Sequence, residues 1–264
     1  MNIAVIIPAA GASARYRTTG GSSNKLDEDL GGRPVLQRTL ELFTLRSDVE
    51  QIIVAGPHEP TALDDFKLRH GDKIAFFGAT LVRGGPAFRW QSVKAALDAV
   101  NDSITHIAIH DAARPAASPH LIDRVFEAAQ RFNAVIPAIE VADTIKRAAA
   151  RPDAVEADPL DAILGEQGKL NAEFRQITET LDRTGLVAVQ TPQIFERALL
   201  ERAYAQSDLD STDDAGLIER LGEPVMVVPG EPTNIKLTHA EDLSLLRAVL
   251  GIHQDTGRDS HKKF

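Results

Sequence analysis

Ile3-Ala4-Val5-Ile6-Ile7-Pro8-Ala9-Ala10-Gly11-Ala12-Ser13-Ala14-Arg15 joins an unbroken apolar run to a loop of small residues that ends on a cation. Continuous rather than alternating apolarity fits a strand covered on both faces, as in a parallel sheet. The same reading predicts strands at 51–55, 80–82, 105–109, 134–137 and 225–228. Amphipathic stretches of helical length lie between them, several with start signals. Pro34 stands at a first helical position, Ser118-Pro119 is a cap followed by proline, and Thr191-Pro192 repeats that device. Thr238 and Glu241 have the spacing of a capping box. Strand–helix alternation predicts an α/β protein with right-handed crossovers and a mostly parallel sheet flanked by helices.

The chain has 264 residues, a size for one large domain at ~150 residues each or two small ones. A single domain over 1–253 is expected, with 254–264 a disordered tail. Two stretches break the alternation. Residues 9–33 read as a long loop carrying Arg15, Arg17 and Lys25, and a loop of that length is usually functional. Residues 148–178 are polar, rich in alanine and acids, and read as an insertion or protruding arm.

Composition narrows the chemistry. The absence of cysteine excludes disulfides, thiolate zinc sites, iron–sulfur clusters and a cysteine nucleophile. With 29 basic against 38 acidic side chains the formal charge is −9, which argues against a nucleic-acid partner. No apolar run approaches the ~20 residues that span a bilayer, so no membrane partner is expected. Ala12-Ser13-Ala14 mimics a signal-peptidase site, but Pro8 interrupts the apolar run and no positive charge precedes it. A cytoplasmic location is the expectation.

Ligands of open α/β sheets bind beyond the carboxyl ends of the strands, which is where Ala9, Ala10 and Gly11 fall. Small residues there admit a close approach to a base or phosphate, and Arg15 can meet charged oxygens; the alternative is a turn kept small for packing. The loop has neither the dinucleotide fingerprint nor P-loop spacing. His110-Asp111-Ala112-Ala113-Arg114-Pro115 closes the strand at 105–109, and its Asp111 and Arg114 either form a site or pair with each other. His106 and His110, four residues apart in a strand, stand about 13 Å apart, too far to share zinc. Asp143, Thr144 and Lys146 border the arm, and Asp182-Arg183 follow it. Asp213-Asp214 read as a helix start, and Asn234–Thr238 as a short strand whose Lys236 is solvated.

In order, PAAGASAR at 8–15, RWQSV at 89–93, HDAARP at 110–115, DTIKR at 143–147, DRTGL at 182–186, TPQIF at 191–195, TDDA at 212–215 and NIKLT at 234–238 resemble the 2-C-methyl-D-erythritol 4-phosphate cytidylyltransferase family. The resemblance implies a Rossmann-like fold of nucleotidyltransferase type, with a protruding dimerisation arm over about 140–185. It implies cytidylyl transfer from CTP to the sugar-alcohol phosphate, with Mg²⁺ bound mainly through the CTP phosphates. By position it makes Arg15 and Lys25 catalytic cations and Ala9, Ala10, Gly11, Ser92 and Ala112 the CTP cradle. Asp111, Arg114, Asp143, Thr144, Arg183, Thr191 and Lys236 become contacts to the acceptor. An arm exchanged between subunits implies a homodimer. Asn24 stands where the family has proline. The other readings are a ribitol-5-phosphate cytidylyltransferase and a non-catalytic nucleotide-binding paralogue.

Overall fold

The structure is a computed structural model, and it describes residues 1–21, 24–150 and 175–252. The expected tail at 254–264 and the middle of the expected arm lie outside the described residues. The chain divides into two compact units, one of 1–139 with 189–264 and one of 140–188.

The first unit is built on β1 (Ile3–Pro8), β2 (Val49–Gly56), β3 (Thr80–Arg83), β4 (His106–Ile109) and β5 (Ala134–Glu140). In the second lie β6 (Lys146–Ala150) and β7 (Arg175–Thr180), and β8 (Val187–Val189) closes the excursion. Then come β9 (Gln193–Glu196) and β10 (Met226–Pro229). Seven strands of the main sheet follow the order β10-β5-β9-β4-β1-β2-β3. The pairs β1–β2, β1–β4, β2–β3 and β10–β5 are parallel, β9 runs antiparallel to both its neighbours β4 and β5, and β8 pairs with β5.

The apolar run of β1 explains why helices cover both faces. Ile3, Val5 and Ile7 join one core with α2 (Val35–Thr44), α3 (Pro60–Phe76) and α5 (Pro119–Ala129). Leu36, Leu40, Phe43, Phe66, Leu121 and Val125 supply that layer. Ala4 and Ile6 point the other way, toward Val93 and Ala96 of α4 (Arg89–Leu97) and Leu199, Leu200 and Ala203 of α6 (Arg197–Tyr204). Leu217 and Ile218 of α7 (Ala215–Arg220) complete the second core, and Leu246 of α8 (Asp242–Val249) belongs to the first. Side chains alternate across a strand, so an all-apolar strand needs two covered faces.

Ser118 caps α5 as expected, its Oγ accepting from the Leu121 N–H at 3.0 Å. Several expectations are corrected. Residues 9–33 are not one loop: α1 (Ala14–Thr18) and a 3-10 turn at Lys25–Asp27 interrupt them. Pro34 precedes α2 instead of opening it. Thr191-Pro192 leads into β9, not a helix, with the peptide bond before Pro192 cis. Thr238 and Glu241 form no capping box; the Asp242 carboxylate instead accepts from the N–H groups of Thr238 at 2.8 Å and His239 at 2.7 Å. Residues 234–238 are irregular: the Asn234 carbonyl accepts from Arg114, the Leu237 N–H donates to the Ala113 carbonyl and the Thr238 N–H to Asp242, which is not the pattern of a strand ladder.

In the second unit β6 and β7 pair antiparallel, with Lys146 opposite Thr180 and a bulge between Arg147 and Ala148. Arg147 meets Glu179 at 3.0 Å across the hairpin.

Candidate active site

A cavity of about 300 Å³ opens over the carboxyl ends of β1 and β4. One wall is the small-residue loop Ala9, Ala10, Gly11 and Ala12. At Gly11 an added Cβ would meet nothing within 4 Å, and φ is not positive, so neither packing nor backbone demands glycine there. Glycine at that point leaves room over the cavity. A second wall is the loop 85–89 entering α4, where the Gln91 side chain accepts from the N–H groups of Ala87 and Phe88 at 2.9 and 3.0 Å. Glycine is required here: a Cβ on Gly84 would lie 2.4 Å from the Gly56 carbonyl oxygen, and one on Gly85 2.0 Å from Gln91 Cβ. Ser92 Oγ accepts from the Gly85 N–H at 3.1 Å and holds that loop to the helix.

The third side carries charge. Asp111 follows β4, and Lys236 Nζ stands 2.8 Å from its Oδ2. Arg114 Nε is 3.3 Å from the same oxygen, and Arg89 Nε is 3.6 Å from Oδ1. These three cations hold the Asp111 carboxyl well below the usual carboxylate range, against the desolvation that would raise it. Arg89 is in turn fixed by Asp214 at 2.5 Å, and Tyr204 donates to the other oxygen of Asp214 at 2.5 Å. Asp213 accepts from the Gly216 N–H and so caps α7, which frees Asp214 for Arg89.

Lys25 enters from the 3-10 turn. Its Nζ donates to the Leu237 carbonyl at 2.8 Å, and the side chain lines the cavity with Lys236. Burial, with the Lys236 and Arg15 cations nearby, pushes its pKa down to about 8. Asn24 Oδ1 accepts from the Leu26 N–H at 3.1 Å and from Ser13 Oγ at 3.2 Å. A side-chain cap thus shapes the turn where proline would restrict φ. Ser13 sits at a φ of 54°, in the left-handed region, which costs about 1 kcal/mol or more for a non-glycine residue. Its hydroxyl links the small-residue loop to the lysine turn.

Of the sequence-predicted residues, Ala9, Ala10, Gly11, Lys25, Ser92, Asp111, Ala112 and Lys236 meet on the cavity wall. Lys236, read on spacing alone as solvated, is ion-paired. Arg15 is exposed on α1 and outside the wall. Arg114 and Thr191 are not among the residues lining the cavity. Arg114 donates to the Asn234 carbonyl at 2.7 Å and meets Asp111 at 3.3 Å. Thr191 Oγ1 accepts from the Asp111 N–H at 3.0 Å and lies 3.2 Å from His110 Nδ1. His110 is fully buried with its pKa pushed down to about 4 by desolvation, so the ring is neutral. Its Nε2–H donates to the Arg114 carbonyl at 3.0 Å, which leaves Nδ1 to accept from the Thr191 hydroxyl. In the second unit Asp143, Thr144 and Arg183 are exposed, and Arg183 donates to the carbonyl of Ala142, beside the other two. Sequence reading missed the site role of Arg89; RWQSV marked its neighbourhood, but its partners Asp111 and Asp214 come from distant segments.

A mostly parallel sheet with a cation-lined cavity at its strand ends defines an α/β protein that binds an anionic ligand of nucleotide type. The chain belongs to the 2-C-methyl-D-erythritol 4-phosphate cytidylyltransferase family, whose model matches residues 3–252. It is 40% identical to the enzyme of that name from Frankia casuarinae, over 94% of this chain and 81% of the relative. A Rhodococcus jostii relative is 38% identical over 94% of this chain and 95% of its own. The crystal structure of the Thermus thermophilus enzyme superposes with a TM-score of 0.66 at 33% identity, covering 94% of this chain and 98% of that one. No helix among the described residues is long and apolar enough to cross a membrane.

Proposed function

We propose that this cavity transfers a cytidylyl group from CTP to 2-C-methyl-D-erythritol 4-phosphate, giving 4-diphosphocytidyl-2-C-methyl-D-erythritol and pyrophosphate. The observation that carries the reading is Lys25 and Lys236 flanking Asp111 beyond β1 and β4, within a chain of this family. The acceptor's phosphate monoester is ionised at neutral pH, so its oxygen attacks the α-phosphorus without a side-chain base. The bond from the α-phosphorus to the bridging oxygen breaks, and pyrophosphate leaves with that oxygen. What the protein must supply is alignment and neutralised charge.

Lys25 supplies positive charge at the α-phosphate, with Arg15 reaching in from α1. Ala9, Ala10, Gly11, Ser92 and Ala112 cradle the nucleotide. Asp111 and Lys236 receive the acceptor, while Arg114, Thr191 and Arg89 hold Asp111 in place. Asp111 is the acidic side chain on the wall among the described residues, and its oxygens are already engaged by cations. That donor set fits a Mg²⁺ ion held mainly by the nucleotide phosphates, with Asp111 as an adjacent oxygen. Such an ion supplies further charge neutralisation along the triphosphate.

The second unit supports a homodimer with exchanged arms. Asp143, Thr144 and Arg183 gather there on an exposed surface, and Ile177, Leu186 and Val187 are 55%, 42% and 41% exposed. Apolar exposure of that kind is normally covered by a partner. A partner's arm would bring the three polar residues to the acceptor. Use of CTP fits a cytoplasmic enzyme.

The test is pyrophosphate release from CTP and Mg²⁺ with methylerythritol 4-phosphate and ribitol 5-phosphate in parallel. Release with the first alone supports the reading. Preference for ribitol phosphate overturns the acceptor, and silence with both overturns catalysis.

A further inference from the structure

The turn that carries Lys25 is small. One backbone hydrogen bond closes it, from the Asp27 N–H to the Asn24 carbonyl at 3.1 Å, and Leu26 is buried beneath it. At its far end Asp27 reaches α3, where His70 Nε2 lies 2.6 Å from Oδ1 and Arg69 Nε 3.2 Å from Oδ2. The His70 side chain is 2% exposed and its ring lies 4.8 Å from that of Phe66. A carboxylate only accepts, so Nε2 carries the hydrogen. Nδ1 is buried with no hydrogen-bond partner.

That orphaned nitrogen is informative. A phenylalanine would fill the same space against Phe66 without a buried polar atom left over, and an unmet buried acceptor is destabilising. The histidine makes one polar contact in exchange, and it falls on the turn that presents Lys25. Burial lowers the imidazole pKa, against the raising effect of Asp27. The charged groups facing it are Asp27 from the turn and Arg69 and Lys73 from its own helix.

We propose that His70, acting through Asp27, is a positioning residue that clamps the Lys25 turn so that the ammonium is held at a fixed place in the cavity. The clamp sits on α3, and neither His70 nor Asp27 lines the cavity. It rests on the role given to Lys25 above. A displacement of about 1 Å in such a group can slow a reaction by up to about 10²-fold, and a loosened turn displaces a long side chain without removing it.

The experiment is steady-state pyrophosphate release from CTP and methylerythritol 4-phosphate, with the thermal midpoint of every variant. His70→Phe is expected to lower kcat about tenfold with KM for CTP changed by less than about twofold. His70→Gln, whose amide can donate from nearly the same place, recovers most of the loss. Asp27→Ala, which also removes the Arg69 contact, is at least as slow as His70→Phe, and the double variant is no slower than Asp27→Ala, because both remove the His70–Asp27 contact. Should His70→Phe fail to fold, Asp27→Ala carries the same expectation. Lys25→Ala separates the two ideas. If it loses turnover while His70→Phe and Asp27→Ala keep it, the clamp is overturned and the role of Lys25 stands. If Lys25→Ala turns over normally, the role of Lys25 is overturned and the clamp with it. Equal losses in His70→Phe and His70→Gln that follow only the thermal midpoint overturn the clamp as well.

Discussion

Lys236 Nζ stands 2.8 Å from Asp111 Oδ2, tying the irregular segment before α8 to the carboxyl end of β4. The pair brings one acid and one base to the same wall as Lys25. Lys25, Lys236 and Arg89 line the wall against the Asp111 carboxylate, with Asp214 behind Arg89, so the wall carries surplus positive charge toward an anionic ligand.

Removing Lys25 should therefore affect chemistry more than folding. Lys25→Ala is expected to lower kcat by roughly 10²–10³, the scale for losing one transition-state charge contact. Circular dichroism should be unchanged. Near-normal turnover would take Lys25 out of the mechanism.

The lowered pKa of Lys25, about 8, gives a pH signature. A lysine is charged below its pKa, so the free enzyme loses this cation as pH rises through that value. A profile of kcat/KM for CTP, which reports the free enzyme, should bend downward there. Lys25→Arg should move the bend to higher pH. A flat profile between neutral pH and the range of ordinary lysines would contradict the assignment.

Asp111 is predicted to matter for stability. Asp111→Asn leaves Arg89, Arg114 and Lys236 without their shared counter-charge, and breaking a buried pair costs about 3 kcal/mol. Its carboxyl titrates lower in the folded state than in the unfolded chain. The stability it contributes is thus full above about pH 4 and declines as pH falls through lower values. Urea midpoints followed from pH 6 to pH 3 should drop more steeply for the unaltered protein than for Asp111→Asn. Parallel curves would refute this.

Subunit mixing tests the exchanged arm. If Arg183 serves its partner's site, equal mixing of Lys25→Ala with Arg183→Ala chains rebuilds one intact site per mixed dimer. Random exchange then restores about a quarter of full activity. No recovery, with exchange demonstrated by mass, would count against shared sites.

The parallel strands were legible because their apolar runs are continuous, and β1, β2, β4 and β5 lie within a few residues of expectation. β9 was hidden for two reasons. Thr191-Pro192 carries a strong local helix-start signal, and QIFE is too short to show a period. Its strand state comes from pairing on both sides with β4 and β5, which no local pattern reports. The site divides the same way. Ala9, Ala10, Gly11 and Asp111 follow strands and were readable from position. Arg89, Asp214 and His70 act through partners in remote segments, so their roles emerge only from the folded contacts.

The antiparallel placement of β9 has a consequence for the order in which the molecule can be made. A ribosome delivers β1 through β5 and the whole second unit before it delivers the strand that separates β4 from β5. Until then the nascent sheet has β4 as a bare edge, with Ile107, Ala108 and Ile109 waiting for Phe195, Ile194 and Gln193. An open apolar edge of that kind invites pairing with other chains. Chains released before about residue 196 should be the aggregating species, and the last third of translation is when the centre of the sheet closes.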